Sequence, residues 1–168
     1  MINAIFFYRI SHFLWRYHIP FLPKLFQLII FLIYNSRIAP TTEIGKGTKC
    51  ICGGLSVLIH YRSKIGKECY IGAHSCIIGK SPYKEVPIIG DHVFIGHNTI
   101  ICGPIKVGNN AIIANGAVVL KSVPENAIVA GVPATIIGYR TNLKYDLLKP
   151  EELINGFMPY YEYSQPPK

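Results

Sequence analysis

The chain has 168 residues, half of them hydrophobic and 15% charged, a composition that fits one folded domain with terminal extensions and excludes a disordered chain. Its 15 glycines and 12 prolines are spread throughout, which excludes a bundle of long helices. Lysine and arginine outnumber aspartate and glutamate 17 to 9, and the net +8 suits an acidic partner such as anionic lipid or a phosphorylated cofactor. The cations are dispersed, with no basic run interleaved with stacking aromatics, so nucleic acid is set aside.

Residues 1–36 are aromatic and aliphatic with scattered cations. Ile5, Tyr8, His12 and Trp15, and likewise Phe6, Phe13 and Tyr17, recur at helical spacing, and Pro20 and Pro23 break the pattern, which predicts two short helices. The most apolar stretch, Leu25 to Tyr34, contains Gln27 and falls well short of the ~20 residues of a membrane span. Arg9 and Arg16 interrupt the first stretch and no small-residue cleavage site follows, so no signal peptide is expected. The 5 cysteines form no CxxC pair, which predicts reduced thiols acting as small core residues in a cytoplasmic protein without a metal site.

The middle of the chain is governed by a period of six. Every sixth position from Ile65 reads Ile65, Ile71, Ile77, Tyr83, Ile89, Ile95, Ile101, Val107, Ile113 and Val119, and all but Tyr83 are Ile or Val. A glycine follows at Gly66, Gly72, Gly90, Gly96 and Gly108, and small residues recur four places on at Cys69, Ser75, Val93, Thr99, Ala111 and Ala117. Such a hexapeptide describes one flat side of a triangular prism, three of which make one coil, with room for about five coils between Ile38 and Ala130. The register slips between Ile44 and Ile65, and Tyr83 falls where a branched apolar residue belongs, so both places are expected to be loops or distorted corners. The segment from Lys80 to Val86 is expected to project from a corner without lengthening the repeat. Residues 141–168 are more polar, with a short helix expected from Pro150 to Asn155 and a Tyr- and Pro-rich end.

The repeat, followed by IIANGAVVLKSVPENAIVAGVPATIIG at residues 112–138, resembles the left-handed parallel β-helix acyltransferases. FYRISHFLWR at 7–16, IGKG at 44–47 and GGLSVLIH at 53–60 are similar to the serine O-acetyltransferase branch, particularly its short members from capsule and exopolysaccharide gene clusters. This resemblance implies an all-β core, a left-handed parallel β-helix over residues 37–140, with an N-terminal helical segment (1–36) and a short C-terminal extension (141–168). It further implies a homotrimer that binds acetyl-CoA in grooves between subunits, with a histidine deprotonating the acceptor while backbone amides hold the oxyanion. The cofactor positions of the family fall on His97, Asn115, Leu120, Lys121 and Thr135. Related sugar acetyltransferases often carry arginine where this chain has Thr135, and Arg140 is the nearby cation.

In serine acetyltransferases one histidine sits in a DHATG-like stretch aligned with Cys52 to Ser56, and a second precedes a proline matching Pro87. Here those positions hold Cys52 or Gly53, and Val86; the aspartate that would bind the serine amino group is replaced by Ile51 or Cys52. The expected acceptor is therefore a sugar of a surface polysaccharide or its lipid-linked precursor. Serine O-acetyltransferase of cysteine biosynthesis and a catalytically deficient β-helix scaffold are the alternatives. For the base, His74 and His92 lie three hexapeptides apart, each three places after an inward Ile, and are expected to stack at one corner on adjacent coils. His97, two after Ile95, is a further candidate for base or cofactor contact. His60 reads as structural, and Cys52 as a nucleophile or a small core residue.

The aromatic N-terminal residues Phe6, Phe7, Tyr8, Phe13, Trp15, Tyr17 and Phe21, edged by Arg9, Arg16 and Lys24, have the composition of an interfacial helix. Peripheral contact with the inner membrane face is one reading of this segment. Capping the open end of the β-helix is the other.

Overall fold

The computed structural model describes residues 3–140. The branched residues at every sixth position point inward and form three ladders, one per side of a parallel β-helix. The first side stacks Arg37–Ile38, Leu58–Ile59, Cys76–Ile78, Ile100–Cys102 and Val118–Val119. Glu43–Ile44, Lys64–Ile65, Ile88–Ile89 and Lys106–Val107 make the second side, extended by a bridge from Val107 to Val123. The third comprises Lys49–Cys50, Tyr70–Ile71, Phe94–Ile95, Ile112–Ile113 and Ala127–Ala130, and Thr135–Tyr139 returns antiparallel along its last strand. Four full coils result, with a fifth whose second side is only that bridge. This is the left-handed parallel β-helix architecture expected from the sequence.

Ile65, Ile71, Ile77, Ile89, Ile95, Ile101, Val107 and Ile113 are all buried, as are the small residues Cys69, Ser75, Val93, Thr99, Ala111 and Ala117. Each buried Ile contributes roughly 1.5–3 kcal/mol by leaving water. Strands of two to five residues suffice because the ladders, and not strand length, supply the core.

The coils are not of the uniform length expected. Ile38 pairs with Ile59, so the first coil exceeds three hexapeptides by half a repeat; the excess is taken up in the turn Ile51–Gly54, where the register slip was expected. Ile59 pairs with Ile77, three hexapeptides on, but Ile77 pairs with Ile101, four hexapeptides on. The segment between Ile78 and Ile88 therefore adds a whole hexapeptide to the third coil, which corrects the expectation that it adds no length. Tyr83 keeps the phase of the repeat yet sits exposed on this loop.

Two helices precede the prism, α1 (Ala4–Arg16) and α2 (Leu22–Tyr34). Pro23 does not break α2 but occupies its first turn, where a missing N–H costs nothing. α1 lies on the first coil and buries Ala4, Ile5, Tyr8 and Ser11. Its polar side chains reach carbonyls of that coil. Asn3 Nδ2 donates to Cys50 O at 2.6 Å, Tyr8 OH to Thr42 O at 2.5 Å, and Arg9 to Ile44 O and Gly45 O, while His12 Nδ1 lies 2.7 Å from Pro40 O. Desolvation of the Tyr8 hydroxyl pushes its pKa up to about 12, so it stays a donor. The helix thus caps the open end of the prism. Tyr8 and Arg9 belong to this cap and not to an outward interfacial face. The helix expected from Pro150 to Asn155 lies outside the described residues.

Glycine is required where corners stack. A Cβ on Gly72 would lie 2.4 Å from Gly96 C and O, whereas one on Gly79 would meet only the Val86 Cγ1 at 3.3 Å and the His60 ring at 4.0 Å. Gly72→Ala is therefore expected to lower stability by about 1–3 kcal/mol through forced separation of coils. Gly79→Ala should stay within about 1 kcal/mol of the wild type. Urea midpoints for the two variants check this contrast.

Candidate functional site

The turns between the second and third sides and between the third and first sides run through a first residue, usually glycine, a second whose backbone N–H faces the next coil, and a third in the left-handed region. The third positions include Ser56, Glu68, His74, His92, Asn98, Asn110 and Asn126, with φ between 51° and 60°. Asparagine is frequent there because its short polar side chain tolerates this conformation. His74 and His92 fill the same backbone role.

The second positions form a hydrogen-bond ladder that the sequence pattern did not lead us to expect. Between the second and third sides, Lys67 N–H donates to Asp91 Oδ1 at 2.7 Å and Asp91 N–H to Asn109 Oδ1 at 2.9 Å. Between the third and first sides, Ala73 N–H donates to His97 Nδ1 at 3.0 Å and His97 N–H to Asn115 Oδ1 at 2.8 Å. Each side chain accepts from the amide one coil below. A signal existed in the sequence: Asp91 and Asn109 lie three hexapeptides apart, as do His97 and Asn115, and each of the four follows Gly or Ala.

The ladder determines what His97 can do. Its Nδ1 accepts from an amide, so the neutral ring carries its proton on Nε2 and presents a donor. His74 sits on the same corner one coil below, with its own N–H bound to Leu55 O at 2.9 Å. Its ring is exposed and makes no hydrogen bond among the described residues. Cys52 lies one coil further down, exposed, on the left-handed kink of the Ile51–Gly54 turn. The corner between the third and first sides therefore collects Cys52, His74, His97 and Asn115.

The other candidates lie elsewhere. His92 occupies the corner between the second and third sides, with its N–H on Lys67 O, so the expected stacking of His74 on His92 is corrected. The two are three hexapeptides apart, but the coil they span holds four, and so His92 falls one corner short of the turn above His74. Lys121 is exposed on the corner between the first and second sides. Thr135 begins the return strand opposite Ala130, outside the last strand of the third side. Arg140 is at the far end of that strand, where its Nη1 donates to His92 O at 3.4 Å, and so it is not beside Thr135. His60 stacks on Tyr61 with centroids 4.5 Å apart, and its Nδ1 accepts from Arg62 N–H. Desolvation, then the nearby Arg62 charge, lowers the His60 pKa and keeps that ring neutral.

A Bacterial transferase hexapeptide (six repeats) model matches residues 87–121. The serine acetyltransferase of Synechococcus elongatus is 30% identical over 148 residues, covering 87% of this chain and 60% of the relative. That of Escherichia coli K12 is 32% identical over 170 residues, covering 96% and 59%. Among solved structures, a serine acetyltransferase in complex with coenzyme A from Brucella abortus strain S19 superposes with a TM-score of 0.76 at 31% identity, covering 81% of this chain and 55% of that one. The chain thus spans about 60% or less of the length of these relatives. None of them is named for a capsule or exopolysaccharide enzyme, and the expected sugar acceptor is overturned by their shared name, serine acetyltransferase. The replaced family histidines and aspartate, on which that expectation rested, weigh less than likeness along most of the chain. The chain is thus a hexapeptide-repeat protein with a three-sided parallel β-helix, similar over most of its length to serine acetyltransferases.

Proposed function

We propose that the chain transfers the acetyl group of acetyl-CoA to the hydroxyl of serine. The observation that carries this reading is the 30–32% identity to serine acetyltransferases over 87–96% of the chain. The coenzyme A complex among the similar structures supports the donor. His74 is the general base: it is the exposed imidazole on the corner and coil next to Cys52, where the family resemblance locates the acceptor. It takes the hydroxyl proton as the oxygen attacks the thioester carbon, the C–S bond breaks, and the proton passes to the leaving thiolate. His97, a donor through Nε2, stabilises the oxyanion or holds the cofactor beside Asn115. Lys121 provides positive charge for a cofactor phosphate. Thr135, on the return strand beyond the last coil, lines the same end of the groove.

The active assembly is a homotrimer joined through the first side of the prism. Outward residues there are largely apolar: Leu58, Cys76, Ile78, Ile100, Cys102 and Val118 are exposed or half-buried in the single chain. On the second side the corresponding positions are Glu43, Lys64, Ile88 and Lys106, and Lys64 pairs with Glu43 at 3.0 Å. An apolar strip of this kind is the surface a subunit interface covers. Sedimentation velocity should show a trimer that Ile100→Glu dissociates, while Lys106→Glu leaves it intact.

Release of CoA from acetyl-CoA should depend on L-serine and yield O-acetylserine. Binding of CoA without serine-dependent turnover would overturn the reading in favour of a scaffold. Asparagine suits the left-handed turn at residue 74, so His74→Asn removes the base without straining the backbone. It is expected to lower kcat about 10²–10⁴-fold with little change in the KM for acetyl-CoA. His92→Asn should be silent, because that ring lies on another corner. Lys121→Glu should raise the KM for acetyl-CoA and flatten its salt dependence, since a phosphate contact is lost and a like charge gained. An unchanged KM at low salt would remove Lys121 from the cofactor site.

A further inference from the structure

Outside the prism, the α1–α2 hairpin carries a surface that the acyl-transfer reading does not use. Apart from Lys24 and Gln27 every residue of α2 is aliphatic, aromatic or proline, yet only Pro23, Ile30 and Tyr34 are buried. A helix of that kind is stable when something covers it. Phe21 is 84% exposed, Leu32 71% and Tyr17 65%, with Phe13, Trp15, Leu25, Leu28, Phe31 and Ile33 also open to solvent. Phe21 is held at φ 65°, in the left-handed region where a bulky residue is an outlier, and its ring is directed into solvent. The inner surface of the hairpin is already committed: α1 is bonded through Asn3, Tyr8, Arg9 and His12 to the first coil.

Charge selects the occupant. No aspartate or glutamate precedes Glu43, whereas Arg9, Arg16, Lys24 and Arg37 do, so the segment before Glu43 carries 4 of the net +8 charges. Arg16 and Lys24 are exposed, Arg16 between Trp15 and Tyr17 and Lys24 three residues after Phe21, so both cations accompany the aromatic residues of the tip. A second copy of this face would bring cations against cations with no carboxylate to pair them. An anionic bilayer offers acyl chains to the apolar side chains and headgroup charge to Arg16 and Lys24, and aromatic residues favour that boundary. Neither helix can cross instead: each has 13 residues, and no helix among the described residues is long and apolar enough to span a membrane.

We propose that the outer face of the α1–α2 hairpin docks on anionic lipid bilayers, with the tip from Trp15 to Leu25 inserted at the headgroup boundary. Trp15 is the only tryptophan of the chain and serves as the reporter. With vesicles of phosphatidylcholine containing roughly 30% phosphatidylglycerol at low salt, the full chain should co-sediment. Its emission should shift to the blue and be quenched by brominated acyl chains. Binding should weaken on the order of tenfold with neutral vesicles, at high salt, and in the Arg16→Glu/Lys24→Glu and Phe21→Ser/Leu25→Ser variants. These side chains are exposed, so the variants keep the wild-type circular dichroism and melting profile. Absence of both co-sedimentation and the Trp15 shift in the wild type overturns the proposal. So does binding that all forms share, or a lipid-free oligomer that the Phe21→Ser/Leu25→Ser variant alone dissociates, which would make a second copy the occupant. None of these readouts depends on acetyl transfer.

Discussion

The distance between coils is the constraint from which the rest follows. Parallel strands stack about 4.8 Å apart, and at a corner this leaves no space for a side chain on the residue that faces the next turn. A Cβ on Gly45 would fall 2.5 Å from Gly66 C, one on Gly66 2.4 Å from Gly90 O, and one on Gly96 2.6 Å from Asn115 N. Glycine at the first corner position lets the coils close, and closure pairs backbone amides with carbonyls along each side. The inward Ile and Val ladders then pack without gaps. Polar chemistry is driven to the second and third positions of such corners, where side chains can point outward or along the stack.

The period of six made the sides and their inward residues legible, because an inward branched residue and a turn glycine recur whatever the loops do. It could not reveal coil length. The segment from Gly79 to Pro87 adds a full hexapeptide, so the phase of Ile89 and Ile95 relative to Ile77 is preserved while the turn count is not. Any inference resting on phase survived, and any resting on stacking failed if it crossed this loop. His74 and His92 illustrate the second case. His97 and Asn115 lie on the C-terminal side of the insertion, and their spacing of three hexapeptides does correspond to stacking. The slip of half a repeat near Cys52 was legible because it changes phase.

The N-terminal helices were visible as an amphipathic pattern, but which face went where was not. Hydrophobic spacing groups Tyr8 with Trp15, whereas the structure buries Tyr8 against the first coil and leaves Trp15 at 45% exposure. The deciding factor is a set of carbonyls. The first coil has no coil below it, and carbonyls at Pro40, Thr42, Ile44, Gly45 and Cys50 would otherwise lack partners from the stack. Residues that can donate over a few ångströms, Asn3, Tyr8, Arg9 and His12, turn inward to meet them. Leaving such groups unpaired costs about 1–3 kcal/mol each, more than the gain from burying one more aromatic edge. The open end of a β-helix thus selects polar donors on an otherwise apolar helix, and the remaining aromatic residues are left on the outside.

The same stacking gives the two imidazoles on the corner between the third and first sides different hydrogen-bond surroundings. A second-position side chain lies along the stack and accepts the amide below, as Asp91, Asn109 and Asn115 do; a histidine in that seat is held with Nδ1 occupied and its proton outward. A third-position side chain leaves the turn from a left-handed residue and projects away from the stack, so a histidine there has no ladder bond to fix its tautomer. His97 takes the first seat and His74 the second, one coil apart. Acyl transfer needs a lone pair for the hydroxyl proton and a hydrogen for the developing oxyanion. Two histidines of equal basicity could exchange these tasks. Here the backbone ties one ring as a donor, and the other is the one able to accept, which is why the base is assigned to His74 in the proposed reaction.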